Sequence, residues 1–274
     1  MNRSAVIEQL RAWGVECYTR TEWGTTREAA YVARRRTHPM PVGPADFHFL
    51  HITVTRDSDT IREGKAGARQ VETYGYSNPP MVSYQDLVTN EGRYFQGQDY
   101  GTKGTHTVND KNVPGFPRDL NLVGYACALM QNVDDEVTDV QVGVVARVFA
   151  ARELAGLVKR GAPIYPHRKF AYKSCPGDLA MHRLDEIRRL KDHYVQTAHQ
   201  EDEMANSDEI LQEVRAHRAE DKARAVLDGK RAVREVAFMK LVKEGLLADV
   251  ADRGEILEKI DDLIADVEQL ANQG

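Results

Sequence analysis

The chain has 274 residues, of which 42% are hydrophobic and 29% are charged, and its formal net charge is −5. These values are typical of one large globular domain or two smaller ones. No run of 18 apolar residues occurs and the N-terminus has no continuous apolar segment, so we expect neither a membrane-spanning helix nor a Sec-type signal peptide.

The charge is distributed unevenly along the chain. Residues 201–274 contain 11 Lys and Arg against 19 Asp and Glu, a balance of −8, which leaves +3 for residues 1–200. A charge of +3 over 200 residues is ordinary, so no nucleic-acid partner is expected. The acidic C-terminal part argues against simple attraction to an anionic polymer.

Residues 1–195 predict one α/β domain. Strand-like stretches such as "FHFLHITVT" (47–55) alternate with helical ones such as "QVGVVARVFAARELAGLVK" (141–159). All ten prolines and both tryptophans lie in this part of the chain.

An all-helical region is predicted over 207–274, after a linker at 196–206. Asn206 and Glu209 resemble a capping box at a helix start. A heptad pattern then follows at Ile256, Ile260, Leu263, Val267 and Leu270. This pattern favours a helical hairpin or bundle that packs on itself or on the preceding domain, and self-association is the alternative.

The three cysteines do not predict a disulfide framework, because their number is odd and they lie far apart. Cys127, in the apolar run "GYACALM", is expected to be a buried thiol, and Cys17 is expected at the start of a strand. Cys175 alone has polar, Pro/Gly-rich surroundings, which indicate a functional role.

The histidines give Cys175 its expected partners. We expect His38 in a loop, and His182, His193, His199 and His217 in solvated helical sequence. The four remaining candidate ligands are His48, His51, His106 and His167.

Alternation along a strand places His48 and His51 on opposite faces, with His51 near the strand's end. His167 and Cys175 are eight residues apart in "PHRKFAYKSCPGD", a stretch with turn-forming residues that let both side chains converge. One thiolate and two imidazoles, from Cys175, His167 and His51, form a donor set suited to Zn²⁺ with an open fourth position. Lys173 would place a cation beside an oxyanion at such a site.

Four stretches in this order resemble the type 2 zinc-dependent N-acetylmuramoyl-L-alanine amidases, which share a fold with peptidoglycan recognition proteins. The resemblance covers about residues 20–185 and is carried by "YTRTEWGTTREAAY", "FLHITVT", "SYQDLVTNEGRYFQGQDYGTKGTHT" and "PHRKFAYKSCPGD". It implies a mixed central sheet flanked by helices, bacterial peptidoglycan as the partner and Zn²⁺ as the cofactor. The implied reaction is hydrolysis of the amide between N-acetylmuramic acid and L-alanine.

The resemblance also implies roles for individual residues. His51, His167 and Cys175 match the three zinc ligands. Tyr84 and Lys173 match a tyrosine and a lysine at the catalytic site of the phage-lysozyme branch, and His106 matches a histidine of the substrate groove.

The chain departs from the family pattern at several positions. Leu50 stands where a second histidine is frequent, Gln85 follows Tyr84 where His or Asn is usual, and Pro166 replaces a glycine. Asp178 is interpreted as structural, near a helix start at Leu179, because the aspartate ligand of some members replaces the cysteine itself.

The biological setting implied by the resemblance is a phage endolysin. Such an enzyme is made in the host cytoplasm and reaches the wall after holin-type release. The alternatives are a cytoplasmic amidase that recycles muropeptides, a non-catalytic peptidoglycan-binding module, and, as the weakest, a cysteine protease that uses Cys175 and His167.

Overall fold

The computed structural model describes residues 4–55, 60–75, 77–198 and 200. Among these residues six strands form one sheet in the order β1-β4-β3-β5-β2-β6. The strands are β1 (Cys17–Tyr18), β2 (Phe47–Ile52), β3 (Asp86–Thr89), β4 (Tyr94–Gln96), β5 (Gly124–Met130) and β6 (Ile164–Pro166). Only β3 and β4 pair antiparallel, so the sheet is mixed, as predicted.

Helices flank this sheet. They are α1 (Ala5–Ala12), α2 (Arg20–Trp23), α3 (Glu28–Thr37), α4 (Ile61–Thr73), α5 (Asp139–Leu154) and α6 (Asp178–His182). Residues 184–198 are also helical, and short 3-10 turns lie at Leu120–Leu122 and His167–Lys169. No helix in the described ranges is both long and apolar enough to cross a bilayer.

Strand β2 lies between β5 and the edge strand β6, and it is parallel to both. Its residues from His48 to Ile52 are buried, as is typical of a parallel strand covered on both faces. The predicted strand over 47–55 therefore ends three residues early. Val54 has φ +57, which is incompatible with continuing an extended strand.

Helix α5 covers the face of β2 that carries His48. The His48 ring lies 4.8 Å from that of Phe149, and its Nε2 is 3.2 Å from Glu153 Oε1. The helix is apolar nearly all round and packs against both α1 and β3, which accounts for its burial. It ends at Leu154, earlier than the predicted stretch to 159, because Gly156 adopts a left-handed conformation with φ +66.

A charged network is buried between α5 and the sheet. The Arg152 guanidinium pairs with Asp86 and donates to the carbonyl oxygens of Tyr125 and Ala126 at 3.1 and 2.9 Å. Tyr94 and Tyr100 donate to the same Asp86 carboxylate at 2.6 and 2.5 Å. Because every member has a partner, the network joins the helix to β3 and β5 without leaving a buried charge uncompensated.

Several predictions about single residues are confirmed within the described part of the chain. Cys127 is fully buried, and Cys17 begins β1. His38, His182 and His193 are exposed. His199 and His217 lie outside the described residues.

The first compact unit of the chain comprises residues 1–200. The helix of residues 184–198 extends past residue 195, where the sequence predicted the domain to end. The predicted helical region 207–274, with its heptad pattern, lies outside the described residues and stays a prediction.

Candidate functional site

His51, His167 and Cys175 form one cluster. One donor atom from each lies within 4.8 Å of the others, and His51 Nδ1 is 3.6 Å from Cys175 Sγ. His51 is buried, whereas His167 and Cys175 are partly exposed, so the cluster opens towards solvent on one side. A thiol and two imidazoles at this separation have the donor chemistry and the spacing to hold one zinc ion.

Sheet register explains why His51 and His167 meet although 116 positions separate them. Strands β2 and β6 are parallel, and Leu50 pairs with Pro166. The next residue of each strand is therefore His51 and His167, level with each other where the two strands end. Their ring centroids are 4.4 Å apart.

The loop after β6 returns Cys175 to the same place. Arg168 connects the two ends of this loop. The backbone N–H of Arg168 donates to the Cys175 carbonyl at 2.8 Å, and the Arg168 guanidinium donates to the Ser174 carbonyl at 2.6 and 3.1 Å. The Ile52 N–H at the end of β2 points at Cys175 Sγ, 3.3 Å away. The thiol thus has a fixed position beside His51.

Asp178 supports this loop and lies outside the cluster. Its carboxylate accepts from Arg168 Nη1 at 2.6 Å and is largely exposed. Helix α6 begins at Asp178, one residue before the predicted start. These contacts agree with the structural role predicted for Asp178.

Burial sets the protonation states at the cluster. It lowers the pKa of His51 well below its ordinary value, and burial together with the charge of Lys173 lowers the pKa of His167 to about 4. Both imidazoles are therefore neutral and have a lone pair for a metal. Burial raises the pKa of the Cys175 thiol to about 12, against the opposing effect of the Ile52 N–H. A divalent cation would reverse this preference, since it stabilises the thiolate.

The three other predicted site residues lie around the cluster. The Tyr84 ring centroid is 5.1 Å from that of His51, and Tyr84 borders a depression of about 100 Å³ lined by Thr53, Val71, Tyr74, Gly75 and Ser83. Lys173 is exposed, and its charge acts on His167. His106 lies 5.5 Å from His51 between ring centroids, and it is 6% exposed rather than open to a groove.

The structure adds two residues that the sequence did not single out. Thr107 Oγ1 lies 2.9 Å from His51 Nε2, and Asn121 binds the backbone of residues 106 and 107. Thr107 and His51 are 56 positions apart, and threonine and asparagine occur in most loops. The adjacency of Thr107 to His106 in "GTHT" was the only available signal, and Asn121 had none.

Gln85, a departure from the family pattern, has a structural role here. Its side chain is fully buried, accepts from the Ala126 N–H at 2.9 Å and donates to the Thr102 carbonyl at 3.3 Å. It fills hydrogen-bonding positions next to β5 and does not contact the cluster through these bonds.

The fold is similar to that of peptidoglycan recognition proteins. A crystal structure of tracheal cytotoxin bound to the ectodomain complex of recognition proteins LCa and LCx matches with a TM-score of 0.51 and 14% identity, over 62% of this chain and 95% of that one. Drosophila recognition proteins LB and SA match with TM-scores of 0.48 at 14% and 18% identity, covering 62% and 64% of this chain and 92% and 91% of theirs.

No protein-family model matches the chain, and no curated protein matches it. At 14% identity the likeness establishes the fold alone. The predicted fold class, a mixed sheet flanked by helices of the amidase and recognition-protein type, is confirmed.

Proposed function

We propose that this protein is a zinc-dependent amidase that cleaves peptidoglycan between the lactyl group of N-acetylmuramic acid and the L-alanine of the stem peptide. The observation that carries the proposal is the convergence of His51, His167 and Cys175 at the ends of two parallel strands. The fold supports the choice of substrate, because solved structures with the same fold include a complex with tracheal cytotoxin.

The site chemistry follows from the residues. His51, His167 and Cys175 hold the metal, which when bound supplies Lewis acidity and lowers the pKa of a water molecule to about 7. Lys173 stabilises the negative charge that develops on the scissile carbonyl oxygen. Tyr84, next to His51, donates a hydrogen bond from its phenolic hydroxyl to the same carbonyl oxygen and keeps its proton.

The bond changes are those of amide hydrolysis. Water adds its oxygen to the lactyl carbonyl carbon, the carbon–nitrogen bond breaks, and a proton goes to the alanine nitrogen. The products are a lactyl carboxylate and a peptide with a free α-amino group. Cys175 acts as a ligand in this scheme, so no covalent acyl-enzyme forms.

The setting that we propose is lysis of a bacterial wall by a phage enzyme, with residues 207–274 as a wall-targeting or oligomerising module. The retained cysteine ligand favours hydrolysis over binding alone, since the recognition modules that only bind commonly lack it. A recycling amidase would prefer soluble anhydro-muropeptides to polymeric wall.

Analysis of the digestion products tests this proposal. The wild-type protein should release free L-alanine amino termini from purified peptidoglycan without creating new reducing sugar ends. Cys175→Ser and His167→Ala should lose both bound zinc and this release. Cys175→Asp, which keeps an anionic ligand, should retain part of each.

Two controls separate the metal site from general damage. Cys17→Ser replaces a buried thiol that donates to the Val15 carbonyl, a bond that serine also makes, and it should keep full zinc and activity. Asp178→Asn should keep full zinc because Asp178 is outside the cluster. Wild-type protein that binds peptidoglycan and zinc but releases no alanine termini would identify a binding module instead.

A further inference from the structure

Thr107 links the metal cluster to His106. Its Oγ1 lies 2.9 Å from His51 Nε2 and 2.9 Å from His106 Nδ1, and the residue is 1% exposed. One hydroxyl therefore lies between two imidazoles in a site that is closed to solvent. His51 uses its other nitrogen, Nδ1, to face Cys175.

The position of Thr107 is fixed by its surroundings. Asn121 Oδ1 accepts from the backbone N–H groups of His106 and Thr107 at 2.7 and 3.0 Å, and Asn121 Nδ2 donates to the Thr107 carbonyl at 2.8 Å. Asn121 Nδ2 also donates to Asp119 Oδ1 at 2.9 Å. Thr107 thus has little freedom to leave either histidine.

We propose that Thr107 is a positioning residue that couples metal binding at His51 to the tautomer of His106. The inference rests on the proposed metal site. When His51 uses Nδ1 as a metal donor, its Nε2 keeps the ring proton and donates it to Thr107 Oγ1. The Thr107 hydroxyl proton is then directed to His106 Nδ1, which accepts it.

The consequence for His106 is a single tautomer with its proton on Nε2. In the metal-free chain the opposite arrangement is equally possible: His106 Nδ1 donates to Thr107 Oγ1, and the Thr107 hydroxyl donates to His51 Nε2. Metal binding at His51 Nδ1 therefore selects one of the two arrangements. His106 Nε2 is buried and has no hydrogen-bond partner within the described residues. Gly104 packs closely against this ring, because a Cβ at that position would lie 2.5 Å from His106 Cδ2 and 2.9 Å from the Ser83 carbonyl oxygen. The selected tautomer therefore places the ring proton on Nε2, the buried nitrogen that the Thr107 hydroxyl does not contact.

The first test is zinc affinity, measured by competition with a chelator on the full chain. Thr107→Val keeps the shape but removes the hydroxyl, and it should bind zinc about 10- to 100-fold more weakly. Thr107→Ser keeps the hydroxyl and should restore affinity to near the wild-type value. Equal zinc affinity of wild type and Thr107→Val would overturn the positioning role.

The second test reads the tautomer of His106 directly by nitrogen NMR of its ring, with the signals assigned by comparison with His106→Gln. Zinc should move the wild-type His106 proton to Nε2, and in Thr107→Val the tautomer should no longer respond to zinc. A zinc-bound wild type with the His106 proton on Nδ1 would overturn the coupling, even if Thr107→Val does not fold. Failure of the wild type to bind zinc would instead refute the metal site itself.

Discussion

At the scale of single residues, Lys173 tests the proposed catalytic role of charge at the site. It is exposed, two positions from Cys175, and its charge influences His167. Lys173→Ala should reduce turnover about 100-fold with zinc content unchanged, because a cation near the oxyanion stabilises the transition state and not the metal. Lys173→Arg should recover part of the rate.

Lys159→Ala is the matched control for charge. Lys159 pairs with Asp46 at the amino-terminal end of β2, the end opposite His51, and its loss should leave turnover unchanged. An equal drop for both lysines would show a general effect of charge on the anionic wall rather than a role at the reacting bond.

The sequence predicts the three proposed ligands better than it predicts the residues around them. His51, His167 and Cys175 belong to residue types with strong metal chemistry, and the strand and the turn-rich loop that carry them are recognisable in the pattern. Thr107 and Asn121 were missed because their contacts depend on how the loop of residues 106–121 folds over β2. No local periodicity encodes such a contact.

At the scale of elements, Gly177 is the joint between the Cys175 loop and α6. Its φ of +93 and ψ of 159 lie in a region that is essentially restricted to glycine, and a Cβ there would lie 2.6 Å from the Val133 carbonyl oxygen. Gly177→Ala should therefore lower the free energy of unfolding by about 1–3 kcal/mol and weaken zinc binding. Denaturant unfolding and chelator competition measure the two effects.

Gly161→Ala provides the comparison for Gly177→Ala. Gly161 also has a positive φ, +69, but a Cβ there would meet nothing within 4 Å. Gly161→Ala should lower the free energy of unfolding by a smaller amount, about 1–2 kcal/mol, and should leave zinc affinity unchanged. If both variants bind zinc like the wild type, the loop geometry at Gly177 does not control the position of Cys175.

His48, on the face of β2 opposite to His51, makes the free energy of unfolding depend on pH. Burial lowers the pKa of His48 to about 4, and the charges of Arg152 and Lys191 act in the same direction against the Glu153 carboxylate. Between about pH 6.5 and pH 4 the unfolded chain binds a proton at His48 that the folded chain does not. The free energy of unfolding should therefore fall as the pH falls through this window, with a contribution from His48 of about 1 kcal/mol per pH unit.

Denaturant unfolding of the zinc-free protein at several pH values isolates that contribution. The slope of the free energy of unfolding against pH should be smaller in His48→Gln by about 1 kcal/mol per pH unit, whatever the absolute stability of the variant. Identical slopes would mean that His48 is protonated in the folded state.

The elements themselves were largely predictable, and their ends were not. "FHFLHITVT" and "QVGVVARVFAARELAGLVK" predicted β2 and α5 from composition and length. Both elements stop early, at Ile52 and Leu154, for backbone reasons at Val54 and Gly156. A positive φ at valine has no sequence signature, and a glycine near a helix end leaves the exact last residue open.

At the scale of the whole molecule, residues 1–200 form one compact unit that contains every residue of the candidate site. We predict that a chain truncated after Gln200 keeps its zinc content and hydrolyses soluble muropeptides at the wild-type rate. Its activity on intact cell walls should fall, because residues 207–274 are proposed to target the wall or to oligomerise. Undiminished lysis of intact walls by the truncated chain would reject both roles.

We propose that one zinc ion at His51, His167 and Cys175 is required for amide hydrolysis. The most direct measurement is a zinc titration of the metal-free wild-type protein, following release of L-alanine amino termini from purified peptidoglycan. We predict no release without metal and a linear rise that ends at one zinc per chain, with no rise in Cys175→Ser. Full release by the metal-free protein, or by Cys175→Ser without bound zinc, would contradict it.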